Sequence, residues 1–423
     1  MIDWHDLPDG AVLPKADLER VSTHYQGRET TTFTQEVRYF DFESNGKPFT
    51  QVATIYTPAE PRIADGRKIV VVASEGGHDN GREFAVDDLG REGPAPWLAK
   101  RGVMFIALTR LGRWNFLTDK PFGSWRDVPI EQRMPVFHRG QGAHWPASEY
   151  EVTGAEGVSS PTGSQSCRLP RPGSQLEAHM MALTPSTSMK GFETALSEIG
   201  GFEDRRGLLL LFWGFSTGGA FLWPFAKRVA PDGIMGFGMS TFPVAFYATR
   251  AVQDEHRWLY DASAFRVRER GKKDFAFFSP NLSDAEREEQ WTEALNSPRY
   301  KSFEDTFMFF NVAALTESLA KLWNADFVPE EMRKRGFSAF LRENLDLAFP
   351  DDSLKSVRVL ELSGTRDEIQ PPETVRAAAS IVRPHCGRYK TIFLEGLHHS
   401  IAADQAPVFG SLWLDAIDSG YYC

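Results

Sequence analysis

A serine between two glycines is the first feature of this chain that could do chemistry. Residues 214–218 read Gly-Phe-Ser-Thr-Gly and directly follow the apolar run 208–213, so they fit the pattern G-x-S-x-G where a buried strand would end. On such a corner, larger flanking side chains would collide with neighbouring backbone, and the N–H of Thr217 would point toward a developing oxyanion. The pattern therefore predicts that Ser216 is a nucleophile. The alternative is that Ser216 only caps the helix that follows.

A serine hydroxyl is a poor nucleophile until a base takes its proton, so a histidine and an acid are needed as well. His398 and His399 follow the predicted strand 389–394, and Asp367 follows the predicted strand 357–362. The carboxyl ends of parallel strands lie at one edge of a sheet, where open sheets of this kind bind their ligands. The chain order Ser, Asp, His therefore indicates a catalytic triad rather than three unrelated loop residues.

The apolar pattern predicts the elements that must position these groups. Short β-branched or apolar runs alternate with amphipathic stretches, which is typical of a mostly parallel sheet flanked by helices. The predicted strands are 68–73, 103–108, 208–213, 233–239, 357–362 and 389–394, and the predicted helices are 97–101, 188–199, 373–382, 406–417 and one from residue 216. A hairpin with Asn45 and Gly46 at its turn is expected within 34–57.

Two stretches do not follow this alternation of predicted strands and helices. Residues 112–185 are rich in Gly, Pro, Ser and Trp without a sustained period, which is typical either of a binding excursion or of a poorly ordered flap. Residues 244–352 are charged, Phe-rich and helical in pattern, and we interpret them as a cap. The predicted organisation is a core formed by 1–243 and 353–423, with the flap at about 112–185 and the helical cap at 244–352.

Composition limits the classes of partner. The 423 residues carry a net charge of −10 and are 42% hydrophobic, so we expect neither nucleic-acid nor membrane binding. The first ten residues do not resemble a secretory signal. Three widely spaced cysteines are typical of reduced thiols in the cytoplasm. His138, His144 and His179 have no metal-like spacing and are expected at the surface of the flap, so no metal or organic cofactor is predicted.

The chain resembles the α/β-hydrolase superfamily over residues 34–110, 187–243 and 355–418. The resemblance lies in 98–112, similar to the helix, strand and loop that precede the elbow, in 364–372 around Asp367, and in Glu-Gly-Leu-His-His at 395–399, similar to E-G-x-G-H. That last match implies that His399 is the catalytic imidazole, with His398 where the family has a glycine.

The same resemblance implies the oxyanion donors. The segment Glu75-Gly76-Gly77 stands where the family has H-G-G, with Glu75 in place of the histidine. The second donor, beside the N–H of Thr217, is then the N–H of Gly77, with Gly76 as the second choice. The alternatives are that these glycines only form a turn and that Glu75 contacts the substrate.

These observations predict a serine hydrolase that cleaves an ester or amide of a fairly apolar small molecule through an acyl-enzyme. Trp114, Trp125 and Trp145, with part of the Phe-rich helices, are candidates to line an apolar pocket. An acyltransferase or a carbon–carbon-bond hydrolase would use the same triad, and a non-catalytic binding protein is a further alternative. The sequence leaves the oligomeric state open, with a homodimer among the options.

Overall fold

The structure is a computed structural model, and it describes the chain in several stretches. The described residues are 1–75, 84–86, 92–112, 136–141, 146–153, 167–171, 173–183, 185–200, 202, 205–238, 350–367, 372–397 and 406–423. The predicted cap at 244–352 falls outside them except for its last three residues, so the division into core and cap stays a prediction.

A single large sheet organises the described residues. The strands are β1 (Val12–Leu13), β2 (Phe33–Ser44), β3 (Lys47–Pro58), β4 (Ile63–Ala64), β5 (Arg67–Ser74), β6 (Met104–Thr109), β7 (Tyr150–Thr153), β8 (Cys167–Pro170), β9 (Leu208–Phe215), β10 (Gly233–Phe237), β11 (Arg358–Gly364) and β12 (Arg388–Leu394). The sheet runs β1-β12-β11-β10-β9-β5-β6-β3-β2, and β4 pairs with β5. Within this sheet, all pairings are parallel except those of β3 with β2 and β6 and that of β4 with β5. The predicted, mostly parallel sheet is confirmed.

Helices cover both faces of this sheet. They are α1 (Lys15–Tyr25), α2 (Pro94–Ala99), α3 (Gln175–Ala182), α4 (Pro185–Ile199), α5 (Gly219–Val229), α6 (Pro372–Val382) and α7 (Ala406–Asp418). Helices α1, α2 and α7 enclose one apolar core, and α4, α5 and α6 enclose the other. The helix predicted at 97–101 begins three residues earlier, because Pro94 is well suited to the first turn of a helix.

Strand β5 shows why the central runs are continuously apolar. Ile69, Val71 and Ala73 point into the first core, and Val70 and Val72 point into the second. A strand covered on both faces needs an apolar side chain at every position, because successive residues point to opposite faces. The predicted hairpin is also confirmed: Ser44 pairs with Lys47 across a turn in which Asn45 and Gly46 have φ values of 52° and 69°.

The flap contains more regular structure than its sequence pattern indicates. Strands β7 and β8 form a separate antiparallel pair, and α3 follows them. Each of these strands has only four residues, the shortest run in which alternation indicates a strand, so neither gives the flap a sustained period.

The N-terminal residues pack beside β12, at one end of the strand order. The backbone N–H of Ile2 and the indole Nε1 of Trp4 both donate to Oδ2 of Asp415 at 2.8 Å, and Trp4 and Asp415 are fully buried. Lys390 Nζ donates to three carbonyl oxygens of the same segment at 2.6–2.7 Å. Residues 2–13 therefore form an N-terminal clasp that is fixed to α7 and β12.

The clasp also satisfies the outer edge of β12. The N–H of Thr391 donates to Asp9 Oδ1 at 2.8 Å, that of Phe393 to the carbonyl of Ala11 at 2.8 Å, and that of Glu395 to the carbonyl of Leu13 at 3.0 Å. Every second residue of this edge is thus paired, as in a continued parallel sheet. The sequence pattern did not predict β1, because two residues carry no period.

Two negative findings concern the described residues. None of the helices found there is both long and apolar enough to cross a membrane. The same part of the chain contains no group of three or more His, Cys, Asp or Glu side chains that could hold a metal ion.

Candidate active site

Ser216 lies on a strained corner between a strand and a helix. It directly follows β9, residues 216–218 form one turn of 3-10 helix, and α5 begins at Gly219. Its φ of 48° lies in the left-handed region, which costs an L-residue roughly 1–2 kcal/mol because Cβ approaches a carbonyl oxygen. Backbone strain of this kind in a polar residue at the carboxyl end of a strand indicates a functional constraint. The predicted strand-to-helix corner is therefore present, with Ser216 at its tip.

Gly218 shows why the corner needs a glycine two residues after the serine. A Cβ added to Gly218 would lie 2.1 Å from the carbonyl oxygen of Ser74 and 2.5 Å from that of Glu75. Both atoms belong to backbone at the end of β5, so neither can rotate away. The corner at residues 216–218 is therefore in close contact with the backbone of Ser74 and Glu75.

We predict that Gly218→Ala displaces Ser216. The added methyl group must push the corner away from β5, which is expected to lower the free energy of unfolding by about 1–3 kcal/mol. Because a displacement of about 1 Å can cost about 100-fold in rate, kcat/KM should fall by about that factor. Chemical denaturation and steady-state kinetics measure the two effects.

Gly207→Ala is the matched control. Gly207 lies in the turn before β9, and nothing lies within 4 Å of a Cβ built on it, so this variant should keep the parent rate and stability. A Gly218→Ala protein with parent kcat/KM would show that the tight contact at the corner does not hold the serine in place.

The loops that carry the acid and the histidine pair are joined through their backbones. Asp367 is 3% exposed and follows β11. The N–H of its neighbour Arg366 donates to the carbonyl of Leu397 at 3.0 Å, and the N–H of Gly396 donates to Oγ1 of Thr365 at 2.9 Å. Leu397 immediately precedes His398. The structure therefore brings the chain at Asp367 beside the chain that leads into the two histidines.

Ser216 and Asp367 lie on the same side of the sheet, where the parallel strands have their carboxyl ends. Strand β10 separates β9 from β11, and adjacent strands are about 4.8 Å apart, so the two loops begin roughly 10 Å from each other. The strained serine corner lies at the carboxyl end of a central parallel strand, and a buried acid follows the strand two places away. Helices cover both faces of the sheet. This combination is specific to one fold. The chain has the α/β-hydrolase fold.

Comparisons with solved structures find other proteins over nearly the whole chain. A thermostable carboxyl esterase from Bacillus coagulans is 15% identical over 91% of this chain and 100% of its own, with a TM-score of 0.43. A monoglyceride lipase variant from Saccharomyces cerevisiae is 14% identical over 93% and 98%, with a TM-score of 0.37. An epoxide hydrolase from Vigna radiata is 10% identical over 91% and 98%, with a TM-score of 0.40. Similarity at this level does not indicate an activity, and the fold is defined by the topology of the sheet.

No known protein-family model matches the chain, and no curated protein matches it.

In this α/β-hydrolase fold, Glu75 is the first residue after β5 and is fully buried. Its Oε1 accepts hydrogen bonds from the backbone N–H of Arg110 at 2.9 Å and from Nε of Arg110 at 3.2 Å. Arg110 itself is 3% exposed and directly follows β6. Its carboxylate thus forms an ion pair with Arg110, and a role of Glu75 in substrate contact stays a prediction.

The sequence did not single out Arg110. A signal was available, because a charged residue follows each of two buried runs, Glu75 after β5 and Arg110 after β6. Since β5 and β6 are parallel neighbours with Ser74 opposite Leu108, charges just beyond their ends lie close together. Opposite charges at these two places therefore predict an ion pair.

Several predicted site residues lie outside the described residues. They are Gly76, Gly77, His398, His399, Trp114, Trp125 and Trp145. The backbone of Thr217 belongs to the 3-10 turn at the corner. The assignments of oxyanion donors, catalytic histidine and tryptophan-lined pocket stay predictions.

The expected surface position of the flap histidines is wrong for His179. This ring is 8% exposed and stacks on Phe137 with centroids 5.4 Å apart, while His138 stacks on it at 5.9 Å. Burial lowers the pKa of His179 to about 4, so the ring is neutral at pH 7 and packs as an aromatic side chain. His144 lies outside the described residues. Scattered spacing along the sequence carries no information about a cluster that forms across a folded flap.

Proposed function

We propose that the protein is a serine hydrolase that cleaves an ester or amide of a fairly apolar small molecule. The observation that carries the proposal is the conformation of Ser216, strained to a φ of 48° at the corner between β9 and α5. A residue that only capped a helix would not need this conformation, because capping residues have extended backbone. The hydrogen bonds between the Asp367 loop and the segment before His398 support Asp367 and His399 as the other two members of the triad.

The proposed reaction begins at Ser216. Its Oγ bonds to the carbonyl carbon of the substrate while the imidazole of His399 takes the hydroxyl proton. The electron pair of the C=O bond moves to the oxygen and forms a tetrahedral oxyanion. Collapse of this intermediate restores the carbonyl and breaks the bond to the leaving group, which receives the proton from His399. Water then attacks the acyl-enzyme by the same sequence and releases the acid.

The oxyanion needs hydrogen-bond donors that are in place before the reaction. We assign this role to the N–H groups of Thr217 and Gly77, with Gly76 as the second choice. Thr217 lies in the turn that leads into α5, so the positive end of the helix adds to its effect. The close approach of Gly218 to the backbone of Ser74 and Glu75 supports this assignment, because Glu75 directly precedes Gly76 and Gly77 in the sequence.

Asp367 orients the base. Its proposed role is to accept a hydrogen bond from the imidazole of His399, which selects the tautomer that can accept the serine proton and stabilises the imidazolium formed. The burial of Asp367, at 3% exposure, strengthens such an interaction, because charges attract each other more strongly where water is excluded.

Two features support the proposed substrate class. An apolar cluster of Phe49, Leu111, Phe137, Leu176 and Ala182 combines β3 with the chain after β6 and the flap, on the same edge of the sheet as Ser216. The net charge of −10 disfavours strongly anionic substrates. We therefore propose an uncharged or weakly charged substrate of moderate size.

Labelling with a fluorophosphonate tests the proposal. These reagents phosphonylate activated serines, so we expect one adduct per chain, mapped by mass spectrometry to the peptide with Ser216, and hydrolysis within a panel of apolar esters and amides. Adding an alcohol acceptor separates hydrolysis from acyl transfer through the products. An adduct at a different serine, or ester turnover by a protein that no fluorophosphonate labels, would contradict the mechanism.

A further inference from the structure

Strand β2 is the outermost strand at the end of the sheet opposite the N-terminal clasp. All 12 of its residues pair with β3 in one continuous antiparallel register, from Phe33 opposite Pro58 to Ser44 opposite Lys47. Outer strands of this length are normally interrupted by a bulge, a proline or lysines, because their outer edge can pair with another chain. The sequence of β2 contains neither proline nor lysine, and its register contains no bulge.

The register shows which backbone groups form this outer edge. The N–H of Ala59 donates to the carbonyl of Thr32 at 2.8 Å, and this pair continues the register by one step. Hydrogen-bonded and non-bonded pairs alternate along an antiparallel ladder, so the even-numbered residues of β2 bond to β3 and the odd-numbered ones point away from it. Two contacts agree with this alternation: Pro48, which has no N–H, lies opposite Glu43, and the carbonyl of Glu43 accepts from Lys190 Nζ at 2.6 Å.

The middle of this edge is accessible and carries two charges. Gln35 and Glu36 are exposed, and Val37 and Arg38 are half-buried. Because Val37 is odd-numbered, its N–H and C=O point outward. The side chains of Glu36 and Arg38 lie on one face of the sheet, since they are two residues apart on one strand. The edge therefore presents a negative and a positive charge on either side of Val37.

We propose that β2 pairs antiparallel with β2 of a second copy of this chain, about a two-fold axis beside Val37. In a two-fold pairing the numbers of opposing residues have a constant sum, so a centre at Val37 places Glu36 of each copy opposite Arg38 of the other. A centre at Glu36 or at Arg38 would instead oppose like charges. Opposite charges directly across a strand pair are stabilising and like charges are destabilising, so the charges select the register centred on Val37.

This pairing is an isologous interface, because the same strand contributes to it from both copies. The outward N–H and C=O of Val37 bond to the C=O and N–H of Val37 in the other copy, and such backbone hydrogen bonds provide the affinity when a strand is added to a sheet. The two pairs of Glu36 with Arg38 fix the register. The interface involves none of the candidate active-site residues.

Charge-reversed variants test this interface through the oligomeric state. Sedimentation velocity and light scattering over a series of concentrations should show a dimer of the parent protein. Glu36→Arg opposes arginines at both symmetry-related positions and Arg38→Glu opposes glutamates, so each variant alone should associate at least about 10-fold more weakly. An equimolar mixture of the two variants restores both opposite-charge pairs and should form a heterodimer. The double variant Glu36→Arg with Arg38→Glu should form a homodimer for the same reason.

Two further variants separate the register from effects on folding. Glu43→Arg makes the same change of charge at another exposed residue of β2, away from the proposed charge pairs, so it should associate like the parent. Val37→Pro removes the outward N–H beside the axis. Proline is tolerated where the N–H of an outer strand faces solvent, so this variant should be folded and monomeric. Thermal unfolding of each variant checks the fold.

The outcomes decide the proposal without reference to catalysis. A parent protein that is monomeric at every concentration overturns it. A parent dimer that persists with unchanged affinity in Glu36→Arg and in Arg38→Glu also overturns it, because the contact then lies elsewhere on the surface. Failure of the mixed variants to associate would exclude the register centred on Val37. The hydrolase function is tested separately by fluorophosphonate labelling.

Discussion

Replacing Ser216 with alanine is expected to lower kcat by about 10⁴-fold or more and to abolish fluorophosphonate labelling. The reason is that no other group can form the acyl-enzyme, so only the residual effect of the oxyanion donors and of substrate binding remains. Alanine should also leave the fold intact, since it removes one oxygen from a side chain that is 9% exposed. Kinetics, labelling and thermal unfolding measured on one preparation test all three statements.

Ser411→Ala is the control for this experiment. Ser411 is fully buried in α7, on the face of the sheet covered by α1, α2 and α7, so its removal tests the loss of a buried hydroxyl without the chemistry. This variant should keep the parent kcat and the full extent of labelling. Turnover by Ser216→Ala at the parent rate would exclude the proposed nucleophile.

Asp367→Asn is also expected to have a large effect on the chemical step. The amide keeps the shape of the side chain but can present an N–H to the imidazole, which would hold His399 in the tautomer that cannot accept the serine proton. The expected loss in kcat is about 10⁴-fold at neutral pH. Because the imidazole acts on the chemical step, KM should change little, and a full kcat and KM measurement distinguishes this result from impaired binding.

Glu361→Gln controls for the loss of a buried carboxylate on the same strand. Glu361 lies in β11 at 0% exposure and accepts a hydrogen bond from the hydroxyl of Tyr389. Burial, reinforced by Glu361, raises the pKa of Tyr389, so the phenol stays protonated and can donate to glutamine as well. Glu361→Gln should keep the parent kcat. An Asp367→Asn protein with a similar kcat would contradict the role given to Asp367.

The same assay shows which of the two histidines, His398 or His399, is the catalytic base. His399→Ala should reduce kcat by about the same factor as Ser216→Ala, because a triad acts as a unit. His398→Ala should retain most of the parent activity. The reverse result would transfer the role of base to His398 and leave the rest of the mechanism unchanged.

The strands that position the site could be predicted closely from the sequence, for a local reason. The run predicted at 68–73 is β5 at Arg67–Ser74, and the run at 208–213 is β9 at Leu208–Phe215. A parallel strand covered on both faces is apolar at every position, and glycines mark its end, so nearby residues contain the information. The corner at Ser216 was predictable because only small flanking residues fit it, as the contacts of Gly218 demonstrate.

Features that depend on distant residues were not predictable in this way. The burial of His179 arises from stacking on Phe137 and His138, about 40 positions earlier in the sequence. The pairing of Glu75 with Arg110 requires that β5 and β6 be neighbours, and the clasp requires a fixed position for α7. No local period records such contacts, because each is set by the assembled sheet and not by the segment that takes part in it.

The N-terminal clasp has a consequence for encounters between molecules. Strand β12 would be an outer strand if residues 2–13 were detached, and the N–H groups of Thr391, Phe393 and Glu395 would then face solvent. An unpaired outer strand is a template on which a second copy can continue the sheet, and this is a common start of aggregation. We therefore expect the hydrogen bonds that Asp415 accepts from Ile2 and Trp4 to disfavour such pairing, because they help to hold residues 2–13 in place on β12.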